Sequence, residues 1–310
     1  MRVLLTGASG QLGRALRASA PKMVSGTSLE LICTARCADS GSGLFELDLS
    51  NPESCREAIK IWQPDWVLNV GAYTAVDKAE KEGALAYAVN AKAPRSLAIA
   101  LAEFSSNSRM LQISTDFVFN GLQGSPYQTD QSFDPLNVYG VTKAEGETAV
   151  HEILGTNSQG RATVLRTSWV YGPVGSNFLR TMLKLHRQCA DEMKPLRVVA
   201  DQVGSPTSTL GLAKACWAVL EQQVTGILHW TDAGAASWYD FAVAIGEIGH
   251  SEGILEKIAQ VIPISTSDYP TPAKRPTYSI LDCQESWKVL NLSPSYWRSA
   301  LREVIHFVSA

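Results

Sequence analysis

Val3-Leu4-Leu5-Thr6-Gly7-Ala8-Ser9-Gly10-Gln11-Leu12-Gly13 is the stretch whose reading decides the fold. A short apolar run ending in a β-branched residue reads as a strand, and the glycines behind it read as a turn into a helix. Missing side chains at Gly7, Gly10 and Gly13 permit a tight turn, close approach of a pyrophosphate and close helix packing. The helix N-terminus then offers free N–H groups and the positive end of its dipole to phosphate oxygens. No Gly-Lys-Ser/Thr follows, so the loop is not of the Walker type. The stretch predicts a dinucleotide-binding strand–turn–helix unit.

Outward from it, strands are expected at 3–6, 29–35, 66–71, 110–114, 162–166 and 226–230, with one further short strand before Asp48. Helices are expected near 11–20, 53–62, 82–104, 139–153, 177–189 and 209–222, the second started by Ser50-Asn51 and Pro52. Alternation of this kind predicts an α/β fold, a doubly wound Rossmann parallel sheet. After about 231, helices near 237–249, 283–290 and 295–308 flank a Pro-rich stretch, 263–276, and predict a smaller, mostly helical C-terminal substrate domain. The division expected is 1–170 with about 209–232 for an NAD(P)-binding Rossmann domain, and about 171–208 with 233–310 for the substrate domain. The loop 115–138 is too long to be a mere connection and is expected to carry function.

Composition narrows the function classes. With 310 residues, 45% hydrophobic and 18% charged, the chain belongs with globular proteins rather than disordered ones. Lys+Arg 27 against Asp+Glu 30 leaves a net charge of -3 and no basic stripe, which argues against a nucleic-acid partner. No apolar run approaches the roughly 18 residues of a membrane span. Met1 leads directly into the first strand, so no signal peptide is expected. The 6 cysteines form no CxxC pair and read as reduced thiols of a cytoplasmic protein. The 5 histidines show no ligand spacing with one another or with Cys, so zinc is not expected, and no acidic cluster compels another metal.

The second strand addresses the choice of dinucleotide. An acid there would accept hydrogen bonds from a free ribose 2′-OH, but the strand ends Cys33-Thr34-Ala35-Arg36, with no carboxylate before Asp39. Arg36 suits a 2′-phosphate, so NADPH is preferred, with NADH as the lesser option. Asp48 and Leu49 are expected at the adenine, and Gly71, Ala72 and Tyr73 beside the nicotinamide half. Tyr139 and Lys143, one helical turn apart, would project side by side, so that the ammonium favours ionisation of the phenol and also holds the cofactor ribose. Tyr139 then serves as general acid. Thr115, at the carboxyl end of a strand, would bind a carbonyl oxygen as it gains charge.

These residues together resemble an extended short-chain dehydrogenase/reductase. More narrowly the chain is similar to the dTDP-4-dehydrorhamnose reductase family, through Thr74-Ala75-Val76-Asp77-Lys78-Ala79-Glu80, Ser114-Thr115-Asp116-Phe117-Val118-Phe119 and Pro135-Leu136-Asn137-Val138-Tyr139-Gly140. Further strings are Arg166-Thr167-Ser168-Trp169-Val170-Tyr171-Gly172, Asp201-Gln202-Val203-Gly204-Ser205-Pro206-Thr207 and Arg275-Pro276-Thr277-Tyr278-Ser279-Ile280-Leu281-Asp282. The resemblance runs nearly end to end. It implies catalytic Thr115, Tyr139 and Lys143, cofactor contacts at Gly10, Gln11, Leu12, Asp48, Leu49, Gly71, Ala72 and Tyr73, and sugar contacts at Thr115, Asp116 and Trp169. The implied reaction reduces a dTDP-6-deoxy-4-ketohexose to dTDP-L-rhamnose, with a nucleotide sugar as small-molecule partner and a homodimer among the expected assemblies. Ala35-Arg36 departs from the acid that many members carry, which bears on NADH use rather than on the reaction. Phe117 replaces a frequent Tyr.

Other residues are read individually. Trp169 is expected to stack on a sugar or base, and Arg275 with Lys274 to meet a nucleotide diphosphate. Asp77, Lys78 and Glu80 read as a structural turn, Asn90 as structural, and the aromatics at 238, 239, 296 and 297 as core. The rivals are a nucleotide-sugar dehydratase, for which Phe117 stands where a Glu base is needed, and an epimerase, whose retained NAD Arg36 argues against. A non-catalytic regulatory subunit, like that of methionine adenosyltransferase, shares the fold.

Overall fold

The computed structural model describes residues 1–38 and 41–308; Asp39, which marked the first carboxylate after the second strand, lies outside them. The strands expected from the sequence are present as β1 (Arg2–Thr6), β2 (Glu30–Ala35), β3 (Phe45–Glu46), β4 (Trp66–Asn69), β5 (Arg109–Thr115), β6 (Ala162–Thr167) and β7 (Gly226–His229). They form one seven-stranded sheet in the order β7-β6-β5-β4-β1-β2-β3, every pairing parallel. The order reverses between β1 and β4, and doubly wound sheets bind ligands at the carboxyl ends of the strands beside such a reversal.

Two-residue periodicity sends alternate side chains to opposite faces. Leu5, Leu68, Leu111, Leu165 and Leu228 pack on one face against α6 (Thr209–Glu221) and α1 (Gln11–Ala18). Leu4, Val67, Met110 and Ala162 pack on the other against α2 (Pro52–Trp62), α3 (Ala93–Phe104) and α4 (Val138–Leu154). Asn51 caps α2 by accepting a hydrogen bond from the Glu53 N–H, as Pro52 behind it suggests. A separate apolar core gathers α5 (Phe178–Asp191), α7 (Trp238–Ser251) and α8 (Trp297–Ile305) over the parallel pair Leu196–Val199 and Val261–Ile264.

Two expectations need correction. Strand 66–71 stops at Asn69, and Gly71 belongs to the loop. Helix 82–104 is not uniform: Gly83–Tyr87 is followed by a π-helical turn over Ala88–Lys92 before α3 begins. Pro94 has no N–H to give the Asn90 carbonyl four residues back, so the α ladder cannot close there.

Candidate active site

The turn after β1 is glycine by necessity. Gly7 has a φ of +63°, and a Cβ on it would lie 2.6 Å from the Gly71 Cα. A Cβ on Gly13 would fall 2.3 Å from the Gly7 carbonyl oxygen. α1 then starts at Gly10 with no side-chain cap and no acidic residue in its first turn. Its leading N–H groups are left for an anion. Beneath this turn a row of buried polar side chains crosses the sheet. Thr6 Oγ1 donates to Asn69 Oδ1 at 2.6 Å and accepts from the Gly71 N–H, while Asn69 Nδ2 donates to Gln112 Oε1 at 2.6 Å. Sequence reasoning missed that row; polar residues inside β1, β4 and β5 were its only signal.

A cleft of about 750 Å³ opens over the strand ends. Gly7, Gly10, Gln11, Leu12, Gly13, Arg36, Asp48, Leu49, Gly71, Ala72 and Tyr73 border it from the β1–β4 half, and Thr115, Asp116, Tyr139, Lys143 and Trp169 from the β5–β6 half, with Arg275 reaching in from the tail. The residues singled out as site candidates therefore meet in one space, except Lys274, which does not border it. Arg36 is exposed and forms no ion pair with a described residue. Asp48 holds the Ser50 N–H and hydroxyl at 2.8 and 2.7 Å, which shapes the turn carrying Leu49. The Tyr73 hydroxyl donates to Glu82, and its backbone is clamped by the Asn90 side chain.

α4 is aimed at the cleft by its own start. Asn137 caps it, accepting from the Gly140 N–H, and also donates to the Lys274 carbonyl; Glu80 accepts from the Val138 N–H. A Cβ on Gly140 would sit 2.2 Å from the Phe117 carbonyl oxygen, so the helix start lies directly on the segment after β5. A Cβ on Gly146 would sit 2.1 Å from the Asn90 carbonyl oxygen. Asp77 and Glu80 thus have the structural roles read from the sequence, Asp77 by binding Arg275.

The electrostatics overturn one expectation. Burial pushes the Tyr139 phenol up to about 12, with Asp116 adding to the rise and the Thr115 side chain opposing it. The Lys143 ammonium is turned away to the Ile113 carbonyl, 2.6 Å from Nζ, and burial lowers it to about 8 against the pull of Glu147. Lys143 therefore does not bring the phenol toward ionisation; desolvation dominates and Tyr139 keeps its proton. Asp116 is buried and pushed up to about 7 by desolvation. Its Oδ1 accepts from Thr115 Oγ1 at 3.0 Å, and its Oδ2 has no partner among the described residues. One turn along α4, Glu147 binds the buried Arg166 guanidinium from Nε and Nη2, at 3.0 and 2.9 Å. Arg166 also donates to the Thr129 carbonyl and so holds the long loop.

Two further positions differ from expectation. Arg275 engages Asp77 with both Nη atoms, at 3.1 and 2.7 Å, so its fork is already taken. Trp169 is stacked on Trp238, ring centroids 3.5 Å apart and planes at 4°. Trp238 packs against the core of the smaller lobe and also lines the cleft; of the aromatic group at 238, 239, 296 and 297, Trp297 is buried and Tyr296 is exposed. Trp238 is a further side chain that reaches the site from the far lobe, and no spacing signal in the sequence marks it.

Comparisons with known proteins agree with this geometry. The family model described as RmlD substrate binding domain matches residues 1–309. A dTDP-4-dehydrorhamnose reductase of Aggregatibacter actinomycetemcomitans is 38% identical over 309 residues, covering 98% of each chain. A probable dTDP-4,6-dihydroxy-2-methyloxan-3-one 4-ketoreductase of Streptomyces antibioticus is 39% identical over 305 residues, covering 98% of this chain and 94% of the relative. The crystal structure of the dTDP-4-dehydrorhamnose reductase of Bacillus anthracis in complex with NADP is similar at a TM-score of 0.82, 30% identical, with 98% of both chains covered.

Proposed function

The chain belongs to the RmlD substrate binding domain family, and from that premise we infer that it is an NADP(H)-dependent reductase acting on a dTDP-linked ketosugar. It reduces the 4-keto group of dTDP-4-dehydro-β-L-rhamnose to give dTDP-L-rhamnose. The observation that carries this reading is the convergence of the glycine cradle and the Thr115, Tyr139 and Lys143 side chains on one cleft.

The cradle fits a dinucleotide, because side chains at Gly7, Gly13 and Gly71 would collide with backbone or with Leu49 and because the α1 N-terminus is uncapped. The bound cofactor supplies the hydride. Tyr139, held neutral by burial, retains a proton at its hydroxyl and gives it to the sugar oxygen as charge develops there. Thr115 Oγ1, beside the phenol and at the end of β5, orients the carbonyl once a ligand draws its hydrogen from Asp116. Lys143, which bonds the Ile113 carbonyl beside the cleft, would hold the cofactor ribose. Asp116, with one carboxyl oxygen unpartnered, binds a sugar hydroxyl, and Trp169 borders the sugar. In our assignment residues 1–170 with about 209–232 hold the cofactor, and about 171–208 with 233–310 the nucleotide sugar. No helix of the described residues is long and apolar enough to cross a membrane.

The test is NADPH oxidation with the ketosugar generated by coupled upstream enzymes. Turnover to dTDP-L-rhamnose is expected. Cofactor binding without turnover, together with a tight protein partner in pull-down, would refute the reading in favour of a regulatory subunit.

A further inference from the structure

Trp169 is a bulky residue in a left-handed backbone conformation, φ +46°, a strained state that persists only when its surroundings over-determine it. The backbone supplies one restraint, the Thr207 N–H donating to the Trp169 carbonyl at 3.2 Å. Gly204 supplies another, since a Cβ there would lie 2.6 Å from the Trp169 indole. The third is a second indole, from the start of α7. Trp238 lies flat on Trp169 at 3.5 Å and is itself fixed from behind. Its Nε1 donates to Gln202 at 3.2 Å, Phe178 packs against its ring at 4.6 Å, and the Ser237/Asp240 capping box locks the helix start that carries it.

We propose that Trp238 is a positioning residue for the reaction: by covering one face of Trp169 it fixes the indole where it borders the cleft, and with it the wall that the sugar meets. This rests on the function proposed above and deepens it. A stack so parallel also rules out a base or sugar lying on that same face of Trp169, because Trp238 already occupies it. Trp238 thereby sets the shape of the sugar subsite through its packing on Trp169. Replacing Trp238 should act on the nucleotide sugar and leave the dinucleotide cradle alone, since the cradle is built from β1, β4 and α1.

The experiment compares wild type, Trp238→Ala and Trp238→Phe for KM and kcat with the coupled ketosugar, NADPH affinity by fluorescence, and the exciton couplet of stacked indoles by circular dichroism. Trp238→Ala is expected to raise the ketosugar KM about 3- to 10-fold, the range that loss of one aromatic stack implies, with kcat changed less and NADPH affinity unchanged. Trp238→Phe should lose the couplet yet restore most of the KM, because a flat ring still backs Trp169. If Trp238→Ala fails to fold, Trp238→Phe and Trp238→Leu carry the same comparison. An unchanged KM in the Ala or Leu variant overturns the inference, as does a parallel loss of KM, NADPH affinity and thermal stability that Phe does not restore. Turnover by wild type alongside either result overturns the inference alone; a wild-type chain that never reduces the ketosugar overturns the functional reading and the inference with it.

Discussion

Replacing Glu147 with leucine should destabilise the protein severely, and the structure gives the size of the effect. Glu147 and Arg166 are 2% and 1% exposed, and the guanidinium is held by charge-assisted bonds of 3.0 and 2.9 Å. Glu147→Leu leaves that cation buried, with only the Thr129 carbonyl, a 3.4 Å contact to His229 and the Phe119 and Phe133 rings beside it among the described residues. His229 gives no relief as an acceptor of charge, because burial, with Arg166 adding to it, holds it near 3 and neutral. Breaking one side of such a buried pair typically costs about 3–5 kcal/mol. At about 2–4 °C per kcal/mol, Tm should fall by roughly 10 °C. The double variant Glu147→Leu/Arg166→Met removes both charges and should recover at least half of the loss, since apolar replacement of a whole pair is often near neutral. Urea and thermal melts of the single and double variants provide the assay. A loss under about 1 kcal/mol in the single variant, or a double variant no better than the single, would show that the pair is not what holds α4 to β6.

Tyr139→Phe keeps the ring and its edge contact with Phe117 while removing the proton donor, so kcat should drop by about 10²–10⁴ with NADPH affinity retained; full turnover in that variant would require another acid. Arg36→Ala should weaken NADPH and hardly touch NADH, and equal kcat/KM for the two cofactors in the wild type would refute the role of Arg36. Asp116, pushed up to about 7 by burial, keeps a proton in the folded chain that the unfolded chain loses from about pH 4, so it makes stability fall as pH rises from 4 to 7. Asp116→Asn should flatten that slope in urea midpoints, leaving the part due to Asp232, also raised to about 7 by burial; an unchanged slope would contradict the assignment. Glu147→Gln should move the alkaline limb of kcat/KM to lower pH, because it removes the carboxylate that opposes the lowering of Lys143 from its ordinary value.

The sheet was legible because each strand carries a strong local pattern. Val3 to Thr6 and the glycines behind them, or Met110 to Ser114 ahead of Thr115, admit few other readings. The glycine turn followed for the same reason, since Gly13 is dictated by the Gly7 carbonyl just before it, although Gly7 itself answers to Gly71, in the loop after the neighbouring strand β4. What could not be read depends on partners distant in sequence. Arg275 looked free, yet Asp77, 198 residues away, holds its fork. The i, i+4 spacing of Tyr139 and Lys143 gave their shared face correctly but not the Ile113 carbonyl that draws the ammonium aside. Trp238 looked like core because an isolated tryptophan at a helix start usually is, and only the fold brings it to Trp169. The π turn had a signal in Pro94, overridden by the helix-forming alanines around it.

That turn has a consequence for how the chain can vary. Pro94 leaves the Asn90 carbonyl without its helical partner, and Gly146 lets α4 come against it main chain to main chain. The clamp of Asn90 on Tyr73 therefore belongs to the same rigid joint that carries Tyr139 and Lys143. The spacing between the cofactor wall and the proton-donating wall is keyed by backbone atoms, which drift in surface side chains does not reach. Outer residues of both helices are free to diverge among relatives without detuning the reaction, whereas a single methyl group at position 146 would pry the two walls apart.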